Sequence, residues 1–158
     1  MTKTQWYIGA PNGVVLCVDG CSGGELSGKL YHSYRTDAQE FVNTDQMINH
    51  MESLYDSLNF PHPGSNERSF LPVKKTDEHY SERDRIMKDE SLLNKHGDLC
   101  TFIVRVQHRQ NSSWQGRITW MENDKTISFR SVWEMVKLIE NAVDTVCAEE
   151  DKEDIPNW

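Results

Sequence analysis

Six histidines (His32, His50, His62, His79, His96, His108) and four cysteines (Cys17, Cys21, Cys100, Cys147) are the side chains here that could transfer protons, hold a metal or do thiol chemistry. The histidines are scattered, with no His-x3-His or His-Glu-x2-His spacing. Two of them, His32 and His108, fall near strand-like segments, and with Arg109 they could serve a small ribonuclease, because imidazole titrates near neutrality. Cys17 and Cys21 form one Cys-x3-Cys, half of a zinc site, and no second close pair completes it. The expectation is no metal, no cofactor and reduced, buried thiols.

Gly20, Gly23, Gly24 and Gly28 in VDGCSGGELSG do not fit the phosphate-binding G-x4-G-K-[ST] pattern, and the segment that follows reads as a strand. A hairpin turn accounts for them better. The strongest candidate surface is RQNSSWQG, where Arg109, Asn111, Trp114 and Gln115 cluster at a hairpin, since Trp and Arg are enriched at binding hot spots. A core position is the competing reading for Trp114, and for Trp120 it is the preferred one.

The elements that must position these residues show an internal repeat. Residues 28–58 align without a gap on residues 116–146, so that Gly28, Phe41, Met47, Glu52 and Asp56 meet Gly116, Phe129, Met135, Glu140 and Asp144. Leu30/Ile118, Ile48/Val136 and Met51/Ile139 keep apolar slots, and upstream GVVLCVD falls on TFIVRVQ at the same offset of 88 residues. The expected fold class is α+β: two duplicated strand-strand-strand-helix (βββα) modules with antiparallel sheets, residues 1–60 and 100–148. They are joined by a polar connector, 61–99, partly helical over Thr76–Lys95, and followed by an acidic tail, 149–158.

In the second module Phe102, Val104 and Val106 alternate with polar residues as a half-buried strand does. Trp114–Met121 reads as a second strand, ENDK as a turn and Thr126–Arg130 as a third strand. Ser131 with Glu134 forms a capping box that opens a helix with apolar residues at helical spacing to about Cys147. In the first module Asn43 and Gln46 hold the corresponding capping positions, and Met47, Ile48, Met51, Leu54, Tyr55 and Leu58 form the stripe.

The chain has 158 residues, a formal net charge of −8 and 37% apolar residues. That length excludes a large two-domain enzyme, and the acidity argues for weak or no direct nucleic-acid binding, because phosphates call for clustered Lys and Arg. Arg105, His108, Arg109 and Arg117 make one small basic neighbourhood that the chain's own carboxylates can neutralise. No apolar run approaches the about 18 residues of a membrane span, and MTKTQWYIGAPNG lacks the blocks of a secretory signal. A cytoplasmic protein without membrane contact is expected. Carboxylates at Asp77, Glu78, Glu82, Asp84, Asp89 and Glu90 and, in the tail, at Glu149, Glu150, Asp151, Glu153 and Asp154 favour a basic protein partner or serve solubility; the tail is expected to lack fixed structure on its own.

At RQNSSWQGRITW and SFRSVWEMVKLIENA, with GKLYHSY, MESLYDSLNFP and RSF upstream, the chain resembles a widespread set of small Firmicutes proteins. That set overlaps the type II anti-CRISPR proteins of mobile elements. The resemblance implies a non-catalytic binding protein that inhibits an RNA-guided nuclease, with Cas9 or its guide-RNA complex as the partner, and it transfers no site residue. The alternatives are a small ribonuclease or inducer of guide-RNA truncation, and an accessory structural module of a mobile element.

Overall fold

The computed structural model describes residues 13–58, 70, 86–109 and 113–153, with the side chains of Asp89 and of 149–153 left out. Six strands form one antiparallel sheet: β1 (Val14–Ser22), β2 (Glu25–His32), β3 (Gln39–Phe41), β4 (Cys100–His108), β5 (Gln115–Trp120) and β6 (Lys125–Phe129). Among the described residues three α-helices accompany it, α1 (Thr44–Leu58), α2 (Asp89–Leu93) and α3 (Val132–Glu153), with a 3-10 turn at Met121–Asn123. The class is α+β, as the sequence implies. The order β3-β2-β1-β4-β5-β6 departs from the expectation of separate sheets, because β1 and β4 pair and fuse both halves into one.

Alternation along the strands decides which residues each face buries. Val14, Leu16, Val18, Leu26, Leu30, Phe102, Val104 and Ile118 pack under α1 and α3, which contribute Met47, Met51, Tyr55, Met135, Ile139 and Val143. The other face carries a smaller cluster in which Leu92 of α2 and Met121 cover Val15, Cys17 and Ile103. The middle of the sheet is thus buried on both sides. This explains why VVLCV reads as a continuous apolar run where an alternating pattern would mark a sheet with one wet face.

The ladder between β1 and β4 pairs Val14 with Val104, Val15 with Ile103 and Leu16 with Phe102. An offset of 88 residues maps Val14 onto Phe102 and Leu16 onto Val104, so these pairings exchange with one another around the Val15–Ile103 pair. The same offset relates the register shift between Val18 and Gly20 to that between Val106 and His108. It also relates the pairs Gly28–Phe41 and Gly116–Phe129, and the first helical residues Thr44 and Val132.

Local chemistry sets the turns and helix starts. Gly23 and Gly24 have φ of 59° and 81°, the two positive values that a tight two-residue hairpin needs, which accounts for the glycine run as a turn. Ser131 Oγ accepts the Glu134 N–H at 3.1 Å to start α3. Asn43 Oδ1 accepts the Gln46 N–H at 2.8 Å, and Gln46 Oε1 reaches back to the Val42 N–H at 3.0 Å to start α1. Within Thr76–Lys95, the described helix is the five residues of α2; residues 76–85 lie outside the described residues.

Candidate functional site

Arg109 ends the exit from β4 and Trp114 precedes β5, and both fold inward. Arg109 is 4% exposed and donates from Nη1 to Asp56 Oδ1 at 2.8 Å, with its guanidinium 5.6 Å from the centre of the Tyr55 ring. Trp114, also 4% exposed, meets the Tyr55 ring edge-on at 5.5 Å. Together they clamp α1 to the second half of the sheet. Gln115 is exposed on β5, whereas Asn111 lies outside the described residues, so Arg109, Trp114 and Gln115 do not present one common surface.

Of the remaining basic neighbourhood, Arg105 and Arg117 sit opposite each other across β4 and β5. His108 is exposed at the far end of β4. His32 aligns through Val14 with Val104, four residues short of His108 and two strands away. Strand spacing and rise place the two histidines on the order of 15 Å apart. An acid and a base that act on one reacting centre each sit about 3 Å from the atom they serve, which requires a much smaller separation than this. The four cysteines are free thiols, and no group of three or more His, Cys, Asp or Glu among the described residues could hold a metal ion.

The acidic residues at the C-terminal end occupy a different setting from the one their composition suggests. Burial on α3 ends at Val143, Val146 and Cys147 are half-buried, and Ala148 is exposed. The backbone nevertheless stays helical to Glu153, taking Glu149, Glu150, Asp151 and Glu153 into the last turns; Asp154 lies outside the described residues. At 1.5 Å per residue, the helix runs about 9 Å past its packed part.

A third feature was not anticipated from sequence. Where β2 ends and β3 begins, a cleft of about 400 Å³ opens against α1, with His32, Tyr34, Arg35, Asp37, Gln39 and His50 around it. His32 is 6% exposed, and its Nδ1 accepts the Tyr34 N–H at 3.1 Å, which places the proton of the neutral ring on Nε2. His50 bonds through Nε2 to the Glu40 carbonyl at 3.0 Å. Ser57 of α1, also on the wall, donates to the Leu54 carbonyl at 2.7 Å. The side-chain oxygen of Gln39 is buried with no hydrogen-bond partner among the described residues.

A smaller cleft, about 160 Å³, lies at the positions 88 residues on. There Trp120, Ile127 and Leu138 stand where the first cleft has His32, Gln39 and His50, and Lys125 stands where it has Asp37. The signal was present in the internal alignment, as aligned positions that are polar in one half and apolar in the other. It becomes legible only once those positions share a wall.

Comparison of the chain with models of known protein families, with curated proteins and with solved structures found no match in any of the three.

Proposed function

We propose that this chain is a non-catalytic binding protein that sets an acidic helix end against a basic surface of a nucleic-acid-handling enzyme and so inhibits or regulates it. The observation that carries the reading is the end of α3, with acids at 149, 150, 151 and 153 against one base, Lys152. Carboxylates in a last turn oppose the helix dipole, so this end is poorly arranged for the stability of the helix itself. Its charge suits a cationic partner, and helical backbone makes the array cheaper to present than a coil that must order on binding.

An RNA-guided nuclease holds its heteroduplex in a positively charged channel, which makes the type II effector and its guide-RNA complex the first partner to try. The test is DNA cleavage by such a nuclease, with the protein added before or after guide loading and the guide run on a denaturing gel. Stoichiometric inhibition with intact guide is the expected result; shortened guide indicates RNA cleavage, and no effect on several type II nucleases rejects this partner. Replacing Glu149, Glu150 and Glu153 by Gln, and Asp151 and Asp154 by Asn, should weaken the complex and flatten its salt dependence. Unchanged affinity would exclude the helix end from the mechanism.

We also infer that the two halves are copies of one βββα module. The support is the common offset of 88 residues in the central ladder, both hairpin irregularities, the third-strand pairs and the helix starts. Gly28 and Gly116 add to it: a Cβ at either would overlap a carbonyl oxygen, of Cys17 in one case and Arg105 in the other, residues that are themselves 88 apart.

A further inference from the structure

We propose that the outer edge of β6 pairs with the same edge of a second copy of this chain, joining two six-stranded sheets into one. This assignment is independent of whether the end of α3 meets a basic partner. β3 and β6 are the two edges of the sheet, and they are built differently. β3 is three residues long, with Glu40 exposed at its middle. Side chains of α1 also cap the backbone there: His50 Nε2 donates to the Glu40 carbonyl at 3.0 Å, and just past the strand Gln46 Oε1 accepts the Val42 N–H at 3.0 Å. Shortness, charge and covered backbone are the means by which proteins keep an edge from pairing.

β6 lacks these devices over most of its length. It has five residues, all exposed but Phe129, and Thr126, Ile127 and Ser128 at its centre carry no charge. The positions 88 residues after Glu40 and His50 hold Ser128 and Leu138, and a leucine cannot cap a carbonyl. Among the described residues no side chain hydrogen-bonds to the backbone of 125–129, so the amides and carbonyls that face away from β5 are open to another strand.

The occupant is a second copy because this edge is complementary to itself. Antiparallel pairing about a two-fold axis sets one residue opposite its own copy, and centring on Ile127 uses the whole of β6. Ile127 then meets the partner's Ile127, Thr126 meets the partner's Ser128 and Lys125 meets the partner's Phe129. Ile127 is 49% exposed and lies on the helix side of the sheet, since it pairs directly with the core residue Ile118. Facing its copy, it is withdrawn from water together with the small apolar cleft that it lines with Leu138. On the other side Thr126 and the partner's Ser128 oppose their hydroxyls, as Thr119 and Thr126 already do at 2.8 Å.

Charge fixes the register. One position beyond each end of the strand, Asp124 stands opposite the partner's Arg130, so opposite charges meet at both ends of the ladder. Arg130 is exposed and holds its own Glu134 loosely, at 3.5 Å. A centre at Thr126 or Ser128 would shorten the ladder and part these charges. The net charge of −8 on each copy opposes association. With so short a pairing, the dissociation constant is expected on the order of 10 µM.

The experiment is sedimentation equilibrium of the full chain at concentrations spanning that value. The mass should rise reversibly from 18.3 kDa toward twice that, and amide hydrogen exchange at 125–129 should slow as the dimer fills. Ile127→Lys, at an exposed position, should keep the melting temperature and raise the dissociation constant about tenfold or more, because like charges then face each other. Asp124→Lys and Arg130→Asp should each weaken self-association, and an equimolar mixture of the two should recover it, since both ends of the mixed dimer again carry opposite charges. Damage to the monomer cannot produce that rescue. A chain that stays monomeric throughout, a dimer that Ile127→Lys leaves intact, or a mixture that associates no better than its components would each overturn the assignment. Exchange at 125–129 that slows only when a different protein is added would overturn it too, in favour of a strand from that protein.

Discussion

Cys17 and Cys100 belong to the clusters on opposite faces of the sheet, and each side chain is almost wholly buried. Burial first, then Asp19, pushes the Cys17 thiol up to about 12. Burial first, then Glu122, does the same for Cys100. Burial also raises the Tyr55 hydroxyl well above its ordinary value. A group whose pKa is raised on folding holds its proton more tightly in the native state, so its contribution is full below the unfolded value and is lost as pH rises toward the folded one. The urea midpoint should therefore be insensitive to these thiols near neutrality and fall progressively above about pH 9. In the variant with Cys17→Ala and Cys100→Ala that fall should be shallower, with the remainder owed to Tyr55, and an equal slope would show that the thiols do not carry it. The expectation of buried thiols holds for Cys17 and Cys100 but not for the exposed Cys21 or the half-buried Cys147, and sequence could not separate Arg109 and Trp114 as a clamp from the same residues as a hot spot. An Arg and a Trp near a turn satisfy both readings until Asp56 and Tyr55 arrive from another element.

The elements themselves were largely legible because their signals are local. The caps at Asn43 and Ser131 and the glycine turn at 23–24 involve residues within four positions of each other, and they form as their chemistry requires. The end of α3 was not legible in the same way. Its last turns have no apolar stripe, yet Ala, Glu and Lys are strong helix formers and carry the backbone beyond the core. The polar cleft depends on β2, β3 and α1 meeting, which no window of sequence contains. A sharper demand falls on Gly28 and Gly116, where adjacent strands approach too closely for a side chain. Gly28→Ala and Gly116→Ala should each cost about 2 kcal/mol or more, in the range of core overpacking, as read from urea unfolding curves. An alanine at the exposed Gly23 position, with open space around it but positive φ, should cost about 1 kcal/mol.

At the scale of the whole molecule, the two halves share a framework and differ in what they place on it. Arg109 pairs with Asp56, while 88 residues away in each direction the matching positions hold Cys21 and Asp144. Burial raises the Cys21 thiol, and Asp144 and then Glu140 add to it; Glu140 is itself paired with Lys137. If the halves are copies, Cys21→Arg should recreate the missing ion pair and raise stability by about 0.5 kcal/mol, with Asp144→Asn abolishing the gain. A loss of stability in the Cys21→Arg variant, or a gain that survives Asp144→Asn, would count against equivalent geometry. The single sheet was hidden from sequence because strand periodicity reveals which residues are buried and is silent on which edge meets which. Only the pairing of β1 with β4 chose between two beads and one body.

That pairing has a kinetic consequence. Every other ladder in the sheet joins strands that follow one another in the chain, so four of the five can close over short loops, while the central one waits for Val15 to find Ile103. Search of that length is an entropic delay, and the hairpins on either side can be in place before it ends. The middle of the finished sheet is then the last part to assemble, and its formation resembles the docking of two prefolded partners that happen to be tethered.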